Sequence, residues 1–129
     1  MLENGEQLAI LGTPGGSRII TMVLLGALEA IEGQDVDSWV SRPRFHHQYL
    51  PDHIQIEDGA FSEPLQAELE ALGHSIKPVG RDYGDMHAVH WNKQTGDITA
   101  ARDPRGVGQA LVRRQAEQKT TSEPAVTSD

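Results

Sequence analysis

Apolar residues recur at helical spacing over residues 18–32, at Ile19, Ile20, Val23, Leu24, Ala27, Leu28 and Ile31, and Gly33 closes the run. This pattern predicts a helix, with Ser17 as its N-cap. The run is apolar around most of its circumference, which predicts that the helix is buried. Residues 7–11 form a short apolar run ended by Gly12, Pro14 and the pair Gly15-Gly16, the signature of a strand entering a tight turn. Asp35 is placed to cap a second, short helix with Val36, Trp39 and Val40 on one face and Pro43 as its stop. The stretch RPRFHHQYLPD (residues 42–52) reads as irregular chain between prolines, and residues 53–57 alternate like a strand. Ser62 caps a predicted helix over residues 64–72, with Leu65, Leu69 and Leu72 on one side and Gly73 as its stop. Residues 86–91 and 97–101 read as a strand pair joined by a polar turn over 92–96. Helices early and a hairpin late predict a layered α+β domain rather than a repeating βαβ wind.

Length and composition add further constraints. The 129 residues suit one domain, expected over residues 1–115, and the small polar residues of 116–129 predict a disordered tail. At 37% hydrophobic and 5% aromatic, the chain is lean for a self-sufficient core, so some of its apolar surface is expected against a partner. The formal charge is −8 and the basic residues are scattered, which argues against nucleic acid and anionic membrane surfaces. There is no cysteine, so disulfides and thiolate metal sites are excluded. The start, MLENGEQLAI, lacks the basic and apolar regions of a signal peptide, and the longest apolar stretch, residues 19–31, is about half a membrane span.

The chemistry concentrates at Gly15-Gly16. Adjacent glycines allow positive φ and close approach of backbone to a ligand, and a helix start directs free N–H groups and partial positive charge to the same spot. An oxyanion, a carboxylate or a phosphate suits such a place. A P-loop is excluded: counting from Gly12, Ser17 stands where a glycine belongs and Arg18 where a lysine belongs; the GxGxxG spacing is absent too. From the local pattern alone, a purely structural turn fits these glycines equally well. Six histidines invite a metal reading. His46 and His47 lie in irregular chain and His53 opens a predicted strand, however, and His87 and His90 sit at an odd separation in another predicted strand, pointing to opposite faces. Structural histidines are the expectation, with no metal and no cofactor. Asp82, Asp85 and Asp103 read as solvated loop or cap carboxylates rather than acid–base groups, with an ion-paired Asp103-Pro104-Arg105 turn as a further scaffold reading. Trp39 and Trp91 read as core anchors.

The segment GTPGGSRIIT (residues 12–21), the helix after it, RPRFHHQYLPD and DPRG (residues 103–106) together resemble the γ-glutamyltransferase family. Order and spacing agree over most of residues 7–106. The resemblance implies a four-layer αββα N-terminal-nucleophile hydrolase fold, of which this chain supplies an incomplete part. It implies acyl transfer from γ-glutamyl amides such as glutathione, by a self-exposed threonine, to water or to an amine. By family position, the amides of Gly15 and Gly16 donate to the tetrahedral oxyanion, and Gly16 lies against the substrate. A periplasmic or extracellular location also follows from the family.

The family's catalytic threonine opens a Thr-Thr-His motif upstream of the PGG turn, and no such motif occurs here. Thr120-Thr121-Ser122 has no following histidine and is no substitute. The expectation is a catalytic-subunit fragment, inactive alone, whose partner is the remainder of the enzyme. A cephalosporin-acylase-like amidase fragment shares the PGG region, and a noncatalytic interaction module is the reading from a different class.

Overall fold

The structure, a computed structural model, describes residues 1–113 of the chain. The expected tail over 116–129, with Thr120-Thr121-Ser122, lies outside the described residues. The elements are β1 (Leu2–Glu3), β2 (Gln7–Gly12), a 3-10 turn (Gly16–Arg18), α1 (Ile19–Ile31), α2 (Val36–Ser41), β3 (Phe45–His46), β4 (Ile54–Ile56), α3 (Glu63–Ala71), β5 (Ile76–Pro78), β6 (His87–Asn92) and β7 (Ile98–Arg102). A four-stranded antiparallel sheet runs β1-β2-β6-β7. A smaller sheet runs β3-β4-β5, its first pair antiparallel and its second parallel.

The mixed helix and sheet expected from the sequence is present. β1, β3 and β5 were not predicted: each is two or three residues long, too short to carry a period, and exists only through its pairing. Two of the three predicted caps form. Asp35 Oδ1 accepts from the Ser38 amide at 2.8 Å and Ser62 Oγ from the Leu65 amide at 3.4 Å. Ser17 does not cap α1. It lies inside the 3-10 turn, where the backbone is already helical, and an N-cap needs extended φ and ψ.

The core lies between α1 and α2 and one face of the larger sheet. It is built from Ala9, Met22, Val36, Trp39, Val40, Met86, Ala88 and Ala101. Trp39 is buried there, its indole N–H bonded to the Gln34 carbonyl at 2.8 Å. Small residues on the strands let the helices sit close. At Gly26 an added Cβ would lie 3.0 Å from the Trp39 carbonyl oxygen and 3.2 Å from Met86 Sδ, so even a methyl group there would press on α2 and the core.

Two burial expectations are corrected. The buried positions of α1 are Met22, Leu25 and Gly26, whereas Ile20, Leu24 and Ile31 on the other side are 78%, 55% and 71% exposed. A helix apolar on all sides does not disclose which side has a partner. Trp91 is also not a core anchor. Strand alternation places it with Leu8, Ile10, Val89 and Ile98 on the sheet face opposite the helices, where it is 40% exposed. The larger sheet therefore has one face packed and one apolar face open.

Candidate functional site

β2 ends at Gly12 and the chain turns through Thr13, Pro14, Gly15 and Gly16 into α1. Gly15 has φ 152° and ψ 13°, and Gly16 has φ 60°, both in the region that favours glycine. The Arg18 amide donates to the Gly15 carbonyl at 3.2 Å and closes the 3-10 turn. Among the described residues, the amides of Gly15 and Gly16 have no partner, and both glycines are exposed. They stand at the head of a 13-residue helix, so two free donors and the positive end of the helix dipole coincide.

The turn rests on buried packing. A Cβ on Gly15 would collide with Met22 Cε, and one on Gly84 would come within 2.5 Å of Met22 Sδ and 2.7 Å of Arg44 Nη1. Met22 is thus wedged between the turn and the 84–85 loop. The Thr13 hydroxyl joins the same two segments, donating to the Pro14 carbonyl at 2.9 Å and accepting from the Asp85 amide at 3.2 Å. Gly106, the last residue of DPRG, is small for a related reason: a side chain there would overlap the Asp85 carboxylate.

Beneath lies a buried ion network made from the two arginine motifs. Arg44 of RPRF pairs with Asp103 of DPRG and donates to the carbonyls of Val40, at 2.9 Å, and Tyr83. Asp103 also accepts from the Met86 and Arg105 amides and from Arg105 Nη1, each at 3.0 Å. Arg105 grips Glu57 with Nε at 3.1 Å and Nη2 at 2.5 Å, and Glu57 receives the Arg44 amide at 2.9 Å. Burial alone would raise the Asp103 carboxyl. The two amides and two guanidiniums outweigh it and hold the group below the usual carboxylate range. Asp103 is fully buried, so it is not a solvated loop residue; the ion-paired turn expected at 103–105 is what forms.

The remaining candidates have structural places. His46 is buried with Nδ1 2.8 Å from Thr21 Oγ1, His47 pairs with Asp52 at 3.0 Å, and His87 Nε2 lies 3.3 Å from Asp85 Oδ1. His90 meets Gln7 at 3.2 Å and packs T-shaped with Trp39, while His53 sits beside Gln55. Among the described residues no three His, Asp or Glu side chains converge as metal ligands. Asp82 is exposed in the loop before β6. A cleft of about 440 Å³, lined in part by Trp39, Gln7 and His90, opens at the opposite end of the larger sheet from the Gly-Gly turn.

Three residues that support the turn were not singled out by the sequence: Thr13, Met22 and Gly84. The first two carried a signal only as proximity to PGG, and Gly84 arrives from a distant loop.

Comparison with known proteins decides the family. The gamma-glutamyltranspeptidase family model matches residues 1–113. The chain belongs to the gamma-glutamyltranspeptidase family. It is 36% identical over 108 residues to the glutathione hydrolase proenzyme of Escherichia coli strain K12, covering 83% of this chain and 18% of that protein. It is 33% identical over 107 residues to Scoloptoxin SSD20 of Scolopendra dehaani, covering 82% of this chain and 53% of that protein. Among solved structures, gamma-glutamyltranspeptidase from Pseudomonas nitroreducens complexed with L-DON superposes with a TM-score of 0.76 at 32% identity, over 88% of this chain and 60% of the other. An acivicin-inhibited gamma-glutamyltranspeptidase gives 0.74 at 34%, over 81% and 57%. The chain thus spans only part of the length of these relatives.

Proposed function

We propose that the Gly15-Gly16 turn is the oxyanion-binding element of a γ-glutamyl acyl-transfer enzyme, to which this chain contributes an incomplete part of an αββα sandwich. The observation that carries the reading is the pair of adjacent unpartnered amides on positive-φ glycines at the head of α1. When a hydroxyl attacks the γ-glutamyl carbonyl, the carbonyl oxygen becomes negative and needs donors already aimed at it. Collapse of that intermediate expels the amine, which takes up a proton, and the acyl group passes to water or to a second amine. The substrate class, γ-glutamyl compounds such as glutathione, is supported by relatives named glutathione hydrolase.

Thr13 is not the nucleophile in this reading. Its hydroxyl is committed to the Pro14 carbonyl and the Asp85 amide, and it braces the turn instead. The attacking threonine comes from the remainder of the catalytic unit, outside this sequence. That remainder packs on the open sheet face of Leu8, Ile10, Val89, Trp91 and Ile98 and along the exposed stripe of α1.

Two measurements test this. The 129-residue chain is expected to give no turnover of a γ-glutamyl anilide above a heat-killed control. The same residues grafted over the matching segment of the E. coli glutathione hydrolase are expected to restore turnover. Activity in the chain alone, or a folded, self-processed graft without activity, would overturn the proposal. The open apolar face further predicts that the isolated chain self-associates, with an apparent mass in sedimentation that rises with concentration. Val89→Lys with Trp91→Lys is expected to remove that rise. A wild-type chain that stays monomeric with a sharp cooperative melt would count against the uncovered face.

A further inference from the structure

The Arg18 side chain leaves its own turn and crosses to the smaller sheet. Its Nε donates to Gln55 Oε1 on β4 at 3.1 Å, with Nη2 on the same oxygen. Its guanidinium lies over the Tyr83 ring, 4.6 Å from the centroid. Tyr83 is itself fixed by its backbone, its amide on Glu57 at 3.3 Å and its carbonyl receiving Arg44. Arg18 therefore adds a side-chain path from the turn to the buried ion network, beside those through Thr13 and Met22.

We infer that Arg18 is a positioning residue, whose grip on Gln55 and Tyr83 sets the direction of the Gly15 and Gly16 amides. The inference rests on the reading of that turn as an oxyanion site. The glycines cannot hold themselves. They have no side chains, and nothing lies within 4 Å of where a Cβ on Gly16 would stand. Met22 supports the turn from below at Gly15, and Arg18 closes it from the other end through its amide on the Gly15 carbonyl. Donors aid an oxyanion only when already aimed, because an N–H···O bond weakens steeply as its angle closes. A planar guanidinium clamped by an acceptor and an aromatic face is a stiff tether, and lysine cannot reproduce it.

Arg18→Gln and Gln55→Ala cut the tether from its two ends, while Gln55→Glu keeps an acceptor. In the full chain, labelled with 15N-glycine and kept dilute, Arg18→Gln and Gln55→Ala are expected to shift or broaden the Gly15 and Gly16 amide signals. Gly33 and Gly73 should stay in place, and Gln55→Glu should resemble the wild type. In the E. coli graft, the two loosening variants are expected to lower kcat about tenfold or more with KM within about twofold. A folded Arg18→Gln or Gln55→Ala chain with unmoved Gly15 and Gly16 signals would overturn the inference. So would a raised KM at constant kcat, which marks Arg18 as a direct substrate ligand. If the unsubstituted graft has no activity, the oxyanion reading fails while the glycine signals still judge the tether.

Discussion

Asp103→Ala is expected to remove most of the folding stability of this chain. Asp103 is fully buried and accepts from two amides and two guanidiniums, one of which, Arg44, is almost as buried. Truncation leaves Arg44 as an uncompensated buried cation and strips the Met86 and Arg105 amides of their acceptor. Breaking such a pair from one side costs on the order of 3–5 kcal/mol. The total stability of a domain this size is about 5–15 kcal/mol, and this chain, with an open apolar face, is expected near the lower end. Urea titration or thermal circular dichroism reads the loss. A midpoint within a few degrees of wild type would show that the network is not what joins the two sheets. The pH dependence carries the same information. The folded Asp103 carboxyl sits below its usual value, so its contribution is complete above about pH 4 and declines as pH falls from there through the lower folded value. Asp103→Asn is expected to flatten that acid limb, because the side chain no longer ionises.

Gly16→Val in the E. coli graft is expected to lower kcat by about 10²–10³, the usual cost of one oxyanion donor. The position has φ 60°, which a β-branched residue adopts only under strain, so the amide must turn away. Space is not the obstacle, since nothing lies within 4 Å of the added Cβ. KM is expected to move less, because the oxyanion exists only as the transition state is approached. Gly15→Ala is a less clean probe: its Cβ would strike Met22 Cε and disturb the core along with the donor. Activity and melting midpoint measured on one Gly16→Val preparation separate the possibilities. A folded variant with near-normal kcat would sink the oxyanion assignment. Activity that falls only with the folded fraction would mark the turn as structural.

What the sequence by itself determined is local. The Gly15-Gly16 turn, the helix after it, the α2 and α3 caps at Asp35 and Ser62, and the β6-β7 pair follow from short-range rules of period, φ and capping. The order of the PGG, RPRF and DPRG motifs carried the family. What only the tertiary structure decided is partnership across long separations. Arg44 meets Asp103 over 59 positions, and Arg18 meets Gln55 over 37. No local preference encodes either pairing. Ser17 lost its expected cap because the chain enters α1 already helical, a consequence of the glycine turn before it. The burial of α1 and Trp91 was misjudged for one reason: hydrophobicity records that a surface seeks cover, while only the packed fold shows which surface has found it within this chain.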